Sequence, residues 1–260
     1  MNVESSPKPQ NVLSALRFRT GVYVAIGGLA VCALATAIAS FSPFTEGFVI
    51  GALIPYLVVG LVVIARISAF HPHQRFGVAN GLTLTRLVIT ALVGGLAFEV
   101  AYHGLRPVPW VAWSFCALAV SAIIIDGLDG YSARRQNLAS DFGGRFDMEV
   151  DALQILLLCV VAVALGKAGA WILIGGALRY AYEVAAVFWS ALKRPLPPSF
   201  RRKLISVIKG GTLAALLAPA ITPPFSTFIA AAALLLLVYS FAVDVIWLAI
   251  DDARARRAVS

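Results

Sequence analysis

Apolar positions in this chain fall in long unbroken stretches, not at the spacing of a half-buried helix or strand. Eight stretches approach the roughly 20 mostly apolar residues that a helix needs to cross a bilayer. They run near 20–41, 48–69, 81–102, 109–126, 147–166, 168–191, 204–221 and 224–250. Lipid offers backbone groups no water, so spans are helices or closed barrels. Barrel strands alternate in polarity; these stretches are solidly apolar. The pattern predicts an all-α polytopic membrane protein of about eight transmembrane helices with short connections. The first stretch follows Lys8, Arg17 and Arg19 and ends near Ala37-Ile38-Ala39, an arrangement that a cleaved secretory signal also shows. Its apolar length suits a span better, so an uncleaved helix is expected.

Composition agrees. The 260 residues are 60 % hydrophobic and 13 % charged, about half the usual charged fraction of a soluble domain. A disordered tail and a disulfide-stapled secreted domain are excluded. Cys32, Cys116 and Cys159 lie inside apolar runs, and neither they nor His71, His73 and His103 show metal-ligand spacing.

The net charge of +8 would suit a nucleic-acid binder until each cation is placed. Lys8, Arg17 and Arg19 precede the first stretch, Arg66 and Arg75 follow the second, and Arg134, Arg135 and Arg145 lie between the fourth and fifth. Lys193, Arg194, Arg201, Arg202 and Lys203 lie between the sixth and seventh, and Arg254, Arg256 and Arg257 follow the eighth. The alternate gaps hold only Arg106 and Lys167. By the positive-inside rule this strict alternation puts both termini and the basic loops in the cytoplasm. Most of the positive charge is therefore topology, and no nucleic-acid partner is expected.

The acids carry the chemistry. Six of the 13 lie between Asp126 and Asp151. Asp126 and Asp129 are three apart and Asp147 and Asp151 four apart, so each pair shares a helix face. Joined by a short cytoplasmic loop, the four carboxylates can converge at one depth. Clustered carboxylates repel unless cations sit among them, and hard oxygen ligands suit Mg²⁺ or Mn²⁺. Two facing carboxylate pairs are a frame for two-metal phosphoryl transfer. Gly127, Gly130, Gly143 and Gly144 leave room for a phosphate ester, and Arg134 is near enough to neutralise one. For Asp141 and Glu149 a solvated helix end suffices.

The segment resembles the signature of the CDP-alcohol phosphotransferase family, D-x2-D-G-x2-A-R-x8-G-x3-D-x3-D. Asp126, Asp129, Gly130, Ala133, Arg134, Gly143, Asp147 and Asp151 occupy all eight fixed positions. The resemblance implies a six-helix catalytic core over residues 76–250, preceded by a cytoplasmic segment (1–19) and two extra helices (20–75) and followed by a cytoplasmic tail (251–260). It implies that Asp126, Asp129, Asp147 and Asp151 hold two divalent cations, Mg²⁺ or Mn²⁺, and that Asp151 is also the general base. Gly130, Ala133, Arg134 and Gly143 would line the nucleotide and pyrophosphate pocket. An alcohol would attack a CDP-linked alcohol and release CMP.

Two further segments resemble the branch that includes phosphatidylglycerophosphate and phosphatidylinositol-phosphate synthases, which uses CDP-diacylglycerol. Asn80-Gly81-Leu82-Thr83-Leu84-Thr85-Arg86 resembles its P-N-x-L-T-x-x-R opening, with Ala79 in place of the proline. Asn80 would cap the third helix. Thr83 and Arg86 would face the nucleotide phosphates, the alternative for Arg86 being a snorkelling interface residue. The stretch from Pro198 to Lys209 loosely resembles P-S-x-x-G-K-x-K-T, with Lys203 at its lysine and Arg202 at its glycine.

Arg179, Arg201, Arg202, Lys203 and Lys209 could form an anion pocket for a phosphorylated acceptor alcohol. Alternatively, Arg179 simply pairs with Glu183 one turn on. The expected partners are CDP-diacylglycerol, a polar alcohol and the bilayer, and the resemblance extends to a homodimer. Localisation in the cell's cytoplasmic membrane follows. Two other readings remain: an aminoalcohol phosphotransferase that acts on diacylglycerol, and a transporter with an acidic ion site. A transporter would place its charges near the midplane and break matched helices, and neither feature is visible.

Overall fold

The computed structural model describes residues 10–70, 77–135, 141–194, 196–197 and 199–257, without the side chains of 10–13, 15, 68–70, 128–135, 141 and 256–257. Within the described residues the chain is wholly helical: α1 (Gln10–Phe41), α2 (Glu46–Phe70), α3 (Val78–Tyr102), α4 (Pro109–Arg135), α5 (Asp141–Ala164), α6 (Leu173–Phe188), α7 (Phe200–Ala215) and α8 (Phe225–Arg257). Pro109 opens α4, where a missing N–H costs nothing. Gly166 closes α5 in a left-handed conformation (φ 70°), with Lys167 N–H donating to Ala162 O and Gly166 N–H to Val163 O, both at 2.9 Å. That is the Schellman arrangement, which favours glycine at the left-handed position.

Among the described residues, six segments are long and apolar enough to cross a membrane: Leu16–Phe41, Glu46–Ile67, Val78–Tyr102, Pro109–Gly127, Ala170–Phe188 and Phe225–Ala255. The expected eight are thus eight helices, of which α5 and α7 fall short of a span. α5 carries Asp147, Glu149 and Asp151 in its first half. α7 has 16 residues, roughly 24 Å at 1.5 Å per residue, against a hydrocarbon core of about 30 Å. Leu29, Leu61 and Leu235, all about 70 % exposed, are typical of the outward apolar faces. The structure is a polytopic, all-α membrane protein.

Helix boundaries also differ from the sequence pattern. α4 continues nine residues past Asp126, and α5 begins six residues before Asp147, so the signature lies on helix at both ends. Asn80 does not cap α3. It sits inside the helix and is buried, because the chain enters α3 through the left-handed Gly77 (φ 82°), whose carbonyl accepts from Gly81 N–H at 3.2 Å.

The chain divides into two compact units, one of residues 1–99 with 124–151 and the other of residues 100–123 with 152–260. In the first, α1 and α2 form a hairpin in which the buried Tyr56 hydroxyl donates to Val24 O at 2.7 Å and its ring covers Gly27 and Gly28. α2 lies on α3 through glycine contacts, Gly51 against Phe98 and Gly95 against Phe48. Thr45 N–H and Oγ1 donate to the wholly buried Glu99 Oε1 at 3.1 and 2.6 Å.

In the second unit, Gly176 lies against the backbone of Leu156, and Gln154 Nε2 donates to Ala119 O at 3.4 Å. The buried Lys167 ammonium donates to Ala218 O at 3.2 Å and to Ile221 O, while Ser226 Oγ donates to Lys167 O at 2.7 Å. Burial holds this ammonium below the usual lysine range.

Candidate active site

Arg86 enters from α3, Asp126 from α4, and Asp147 and Asp151 from successive turns of α5. All four belong to the first unit. Arg86 Nη1 lies 2.6 Å from Asp126 Oδ1 and also contacts Asp147 Oδ1, and Nη2 lies 3.9 Å from Asp151 Oδ1. One guanidinium therefore gathers three carboxylates from two helices. Its side chain is 1 % exposed, whereas the carboxylates are 38–42 % exposed. The arginine forms the floor of the cluster and the aspartates its open side.

A cation buried in an apolar helix is stable only when paired, which explains why Arg86 sits among acids and does not snorkel. Carboxylate oxygens on an exposed face are the donor type that suits hard divalent cations. Among the described residues, however, no three acidic, histidine or cysteine side chains are drawn together as a ready metal site. Space beside the acids is open, since a Cβ on Gly127 or Gly144 would meet nothing within 4 Å.

The backbone of Asp129, Gly130, Ala133 and Arg134 is helical and continues α4; their side chains lie outside the described residues. Gly143 lies in the first turn of α5. Thr83 is buried, and its hydroxyl donates back to Ala79 O at 3.1 Å.

The other candidate cations belong to the second unit. Arg201 Nη2 lies 2.5 Å from Asp244 Oδ1, and Arg202 Nη1 lies 3.4 Å from the same oxygen. Arg201 Nη1 also donates to Ser240 O and Oγ, both at 2.9 Å. Arg179 pairs with Glu183 at 2.8 Å. Lys203 is exposed, and Lys209 borders a small apolar cavity with Cys159 and Leu213. Sequence reasoning missed the acids of α8. Asp244 takes Arg201 and Arg202, while Asp251 and Asp252 take Arg194 at 3.0 and 2.9 Å. Asp244 and Asp251 are seven apart, two helical turns, and so share a face.

A family model described as CDP-alcohol phosphatidyltransferase matches residues 76–250. The chain belongs to this family. No curated protein and no solved structure matches it. The matched range begins just before α3 and takes in Arg86, all four aspartates and the α7–α8 cations. For a CDP-alcohol phosphatidyltransferase, a carboxylate cluster open to solvent at the end of apolar helices has a direct use. Phosphatidyl transfer is a displacement at the phosphorus of a negatively charged phosphate ester, and groups fixed in advance lower its barrier by positioning and charge neutralisation.

Proposed function

We propose that this membrane protein transfers the phosphatidyl group of CDP-diacylglycerol to the hydroxyl of a polar alcohol and releases CMP. The observation that carries the reading is the cluster of Asp126, Asp147 and Asp151 around Arg86, with the carboxylates on its exposed side. It stands on the segment where all eight signature positions are filled.

In this reading Asp126, Asp129, Asp147 and Asp151 hold two divalent cations, Mg²⁺ or Mn²⁺. When bound, such ions neutralise phosphate charge and polarise the phosphoryl oxygens. Asp151 takes the proton from the acceptor hydroxyl. The hydroxyl oxygen forms a bond to the phosphorus that carries diacylglycerol, and the bond from that phosphorus to the bridging pyrophosphate oxygen breaks. CMP leaves with the electron pair. Thr83, Arg86, Gly130, Ala133, Arg134 and Gly143 bind the nucleotide and its phosphates.

The acceptor is a phosphorylated alcohol held by cations among Arg179, Arg201, Arg202, Lys203 and Lys209. Arg201 and Arg202 share one carboxylate, so that pair keeps a net positive charge for a phosphate. The alternation of basic loops supports an active site on the cytoplasmic side of the cell membrane, with both termini there. A homodimer completes the reading.

The test is CMP release by purified protein in detergent, given labelled CDP-diacylglycerol, Mn²⁺ or Mg²⁺ and a panel of neutral and phosphorylated alcohols. Metal-dependent CMP release with a phosphorylated acceptor is expected. No release with any acceptor overturns the reading. Release only from CDP-choline or CDP-ethanolamine with diacylglycerol would replace it with the aminoalcohol reaction.

A further inference from the structure

We infer that Arg86 is the resident counter-cation of the carboxylate cluster and competes with divalent cations for Asp126 and Asp147. The inference rests on the metal-dependent reading above but concerns a different property, namely what draws the aspartates of two helices together.

Three observations carry it. First, Arg86 Nη1 is in contact with one oxygen of Asp126 and one of Asp147, from two different helices. Those are the atoms an oxygen-bound cation would take. A guanidinium and a divalent ion cannot both use them at full strength, because two positive charges a few ångströms apart repel. Secondly, the two sides of the cluster differ. Arg86 is 1 % exposed and the carboxylates about 40 %, so ions can enter from solvent while the arginine holds the floor. Thirdly, three acids share this one arginine, and the guanidinium reduces the repulsion enough for Asp126 to lie beside Asp147 and Asp151.

Arg86 is thus a positioning residue. It assembles the acids from α4 and α5 on a floor supplied by α3, and it yields their inner oxygens as cations bind. The displaced guanidinium stays next to the site, where phosphate oxygens arriving with the donor can accept from it. Cation and guanidinium exchange on the same ligands, so the cost of separating the acids from a counter-ion is never met in full. A merely structural arginine would instead keep its carboxylate contacts whether or not metal is bound.

The experiment is Mn²⁺ titration of the full-length protein in detergent without substrate, read by electron paramagnetic resonance of free Mn²⁺ and by thermal shift. Comparing wild type with Arg86→Gln, the variant is expected to melt earlier without metal and to bind Mn²⁺ about tenfold more tightly, the scale on which one neighbouring charge shifts a carboxylate. Equal or weaker Mn²⁺ binding by a folded Arg86→Gln protein overturns the inference. Failure of wild type to bind Mn²⁺ at all would instead sink the metal-dependent reading on which it rests.

Discussion

Replacing Gly95 with alanine tests whether the N-terminal hairpin is built into the same unit as the site. A Cβ at Gly95 would lie 2.6 Å from the backbone oxygen of Phe48 and 2.9 and 3.0 Å from its ring carbons. Ordinary contact begins near 3.4 Å, so α2 would have to retreat by 0.8 Å. The clash is with main chain as well as a side chain, so no rotamer change relieves it. The same retreat strains the bonds from Thr45 to Glu99, one turn further along each helix. Overpacking costs about 1–3 kcal/mol, and weakening a charge-assisted hydrogen bond adds a share of its roughly 1.5–3 kcal/mol. Against this, alanine is worth about 1 kcal/mol over glycine in a helix. The net expectation is a loss of about 2 kcal/mol, or a melting temperature lower by about 4–8 °C on the scale for chains of this size. Gly21→Ala is the control, since a Cβ there meets nothing within 4 Å and should leave the melt unchanged or slightly higher. Thermal unfolding of both variants in one detergent decides the matter. If Gly95→Ala melts with Gly21→Ala, α2 does not rest on α3 as described.

The remaining predictions concern chemistry and charge. Asp151→Asn should reduce CMP release by at least about 10²-fold, the usual scale for losing a general base, with CDP-diacylglycerol binding and the melting temperature near wild type; undiminished turnover would remove the base assignment. Lys203→Ala and Arg179→Ala should raise the KM for a phosphorylated acceptor well above any change in the KM for CDP-diacylglycerol, and equal effects would argue against an acceptor pocket there. Burial lowers the Lys167 pKa, so the unfolded chain binds more protons at this position than the folded one. Stability from this group is therefore lowest at neutral pH and increases as pH rises toward the unfolded value of about 10.4. Relative to Lys167→Met, wild type should gain stability as pH is raised toward that unfolded value, and a flat or falling difference would refute that sign.

What the chain discloses on its own is set by how local each signal is. The apolar stretches are local, and all eight were found as helices. Their ends were less legible, because Gly127 and Gly130 each cost a helix only about 1 kcal/mol, and α4 runs through both. α7 likewise stops at Ala215 although the apolar run continues through Leu216, Leu217 and Ala218, so the end of the run did not mark the end of the helix. Asn80 has the chemistry of a cap, but a left-handed Gly77 three residues earlier is what starts α3. The aspartates were legible because their spacing is fixed along the chain. Their contact with Arg86 was not, because it joins residues 40 and more apart, and helical periodicity names the face of a residue but not its neighbour. Asp244 was missed for the same reason, since the arginines it takes lie more than 40 residues before it.

Helix α3 buries two ionisable side chains 13 residues apart, roughly 20 Å at the rise of an α-helix, and their partners differ in kind. Glu99 Oε1 accepts from the backbone N–H and the hydroxyl of Thr45, just ahead of α2. These are neutral donors, the side chain is wholly buried, and Oε2 has no hydrogen-bond partner among the described residues. Losing the Thr45 bonds would leave the whole carboxyl group buried and unpaired in apolar surroundings. They fasten the start of α2 to α3. Arg86 is met by carboxylates about 40 % exposed, and under the competition proposed above a divalent cation would take those ligands in its place. The hairpin steadies the opposite end of α3. That division gives α1 and α2, which lie outside the family match, a physical reason to be there.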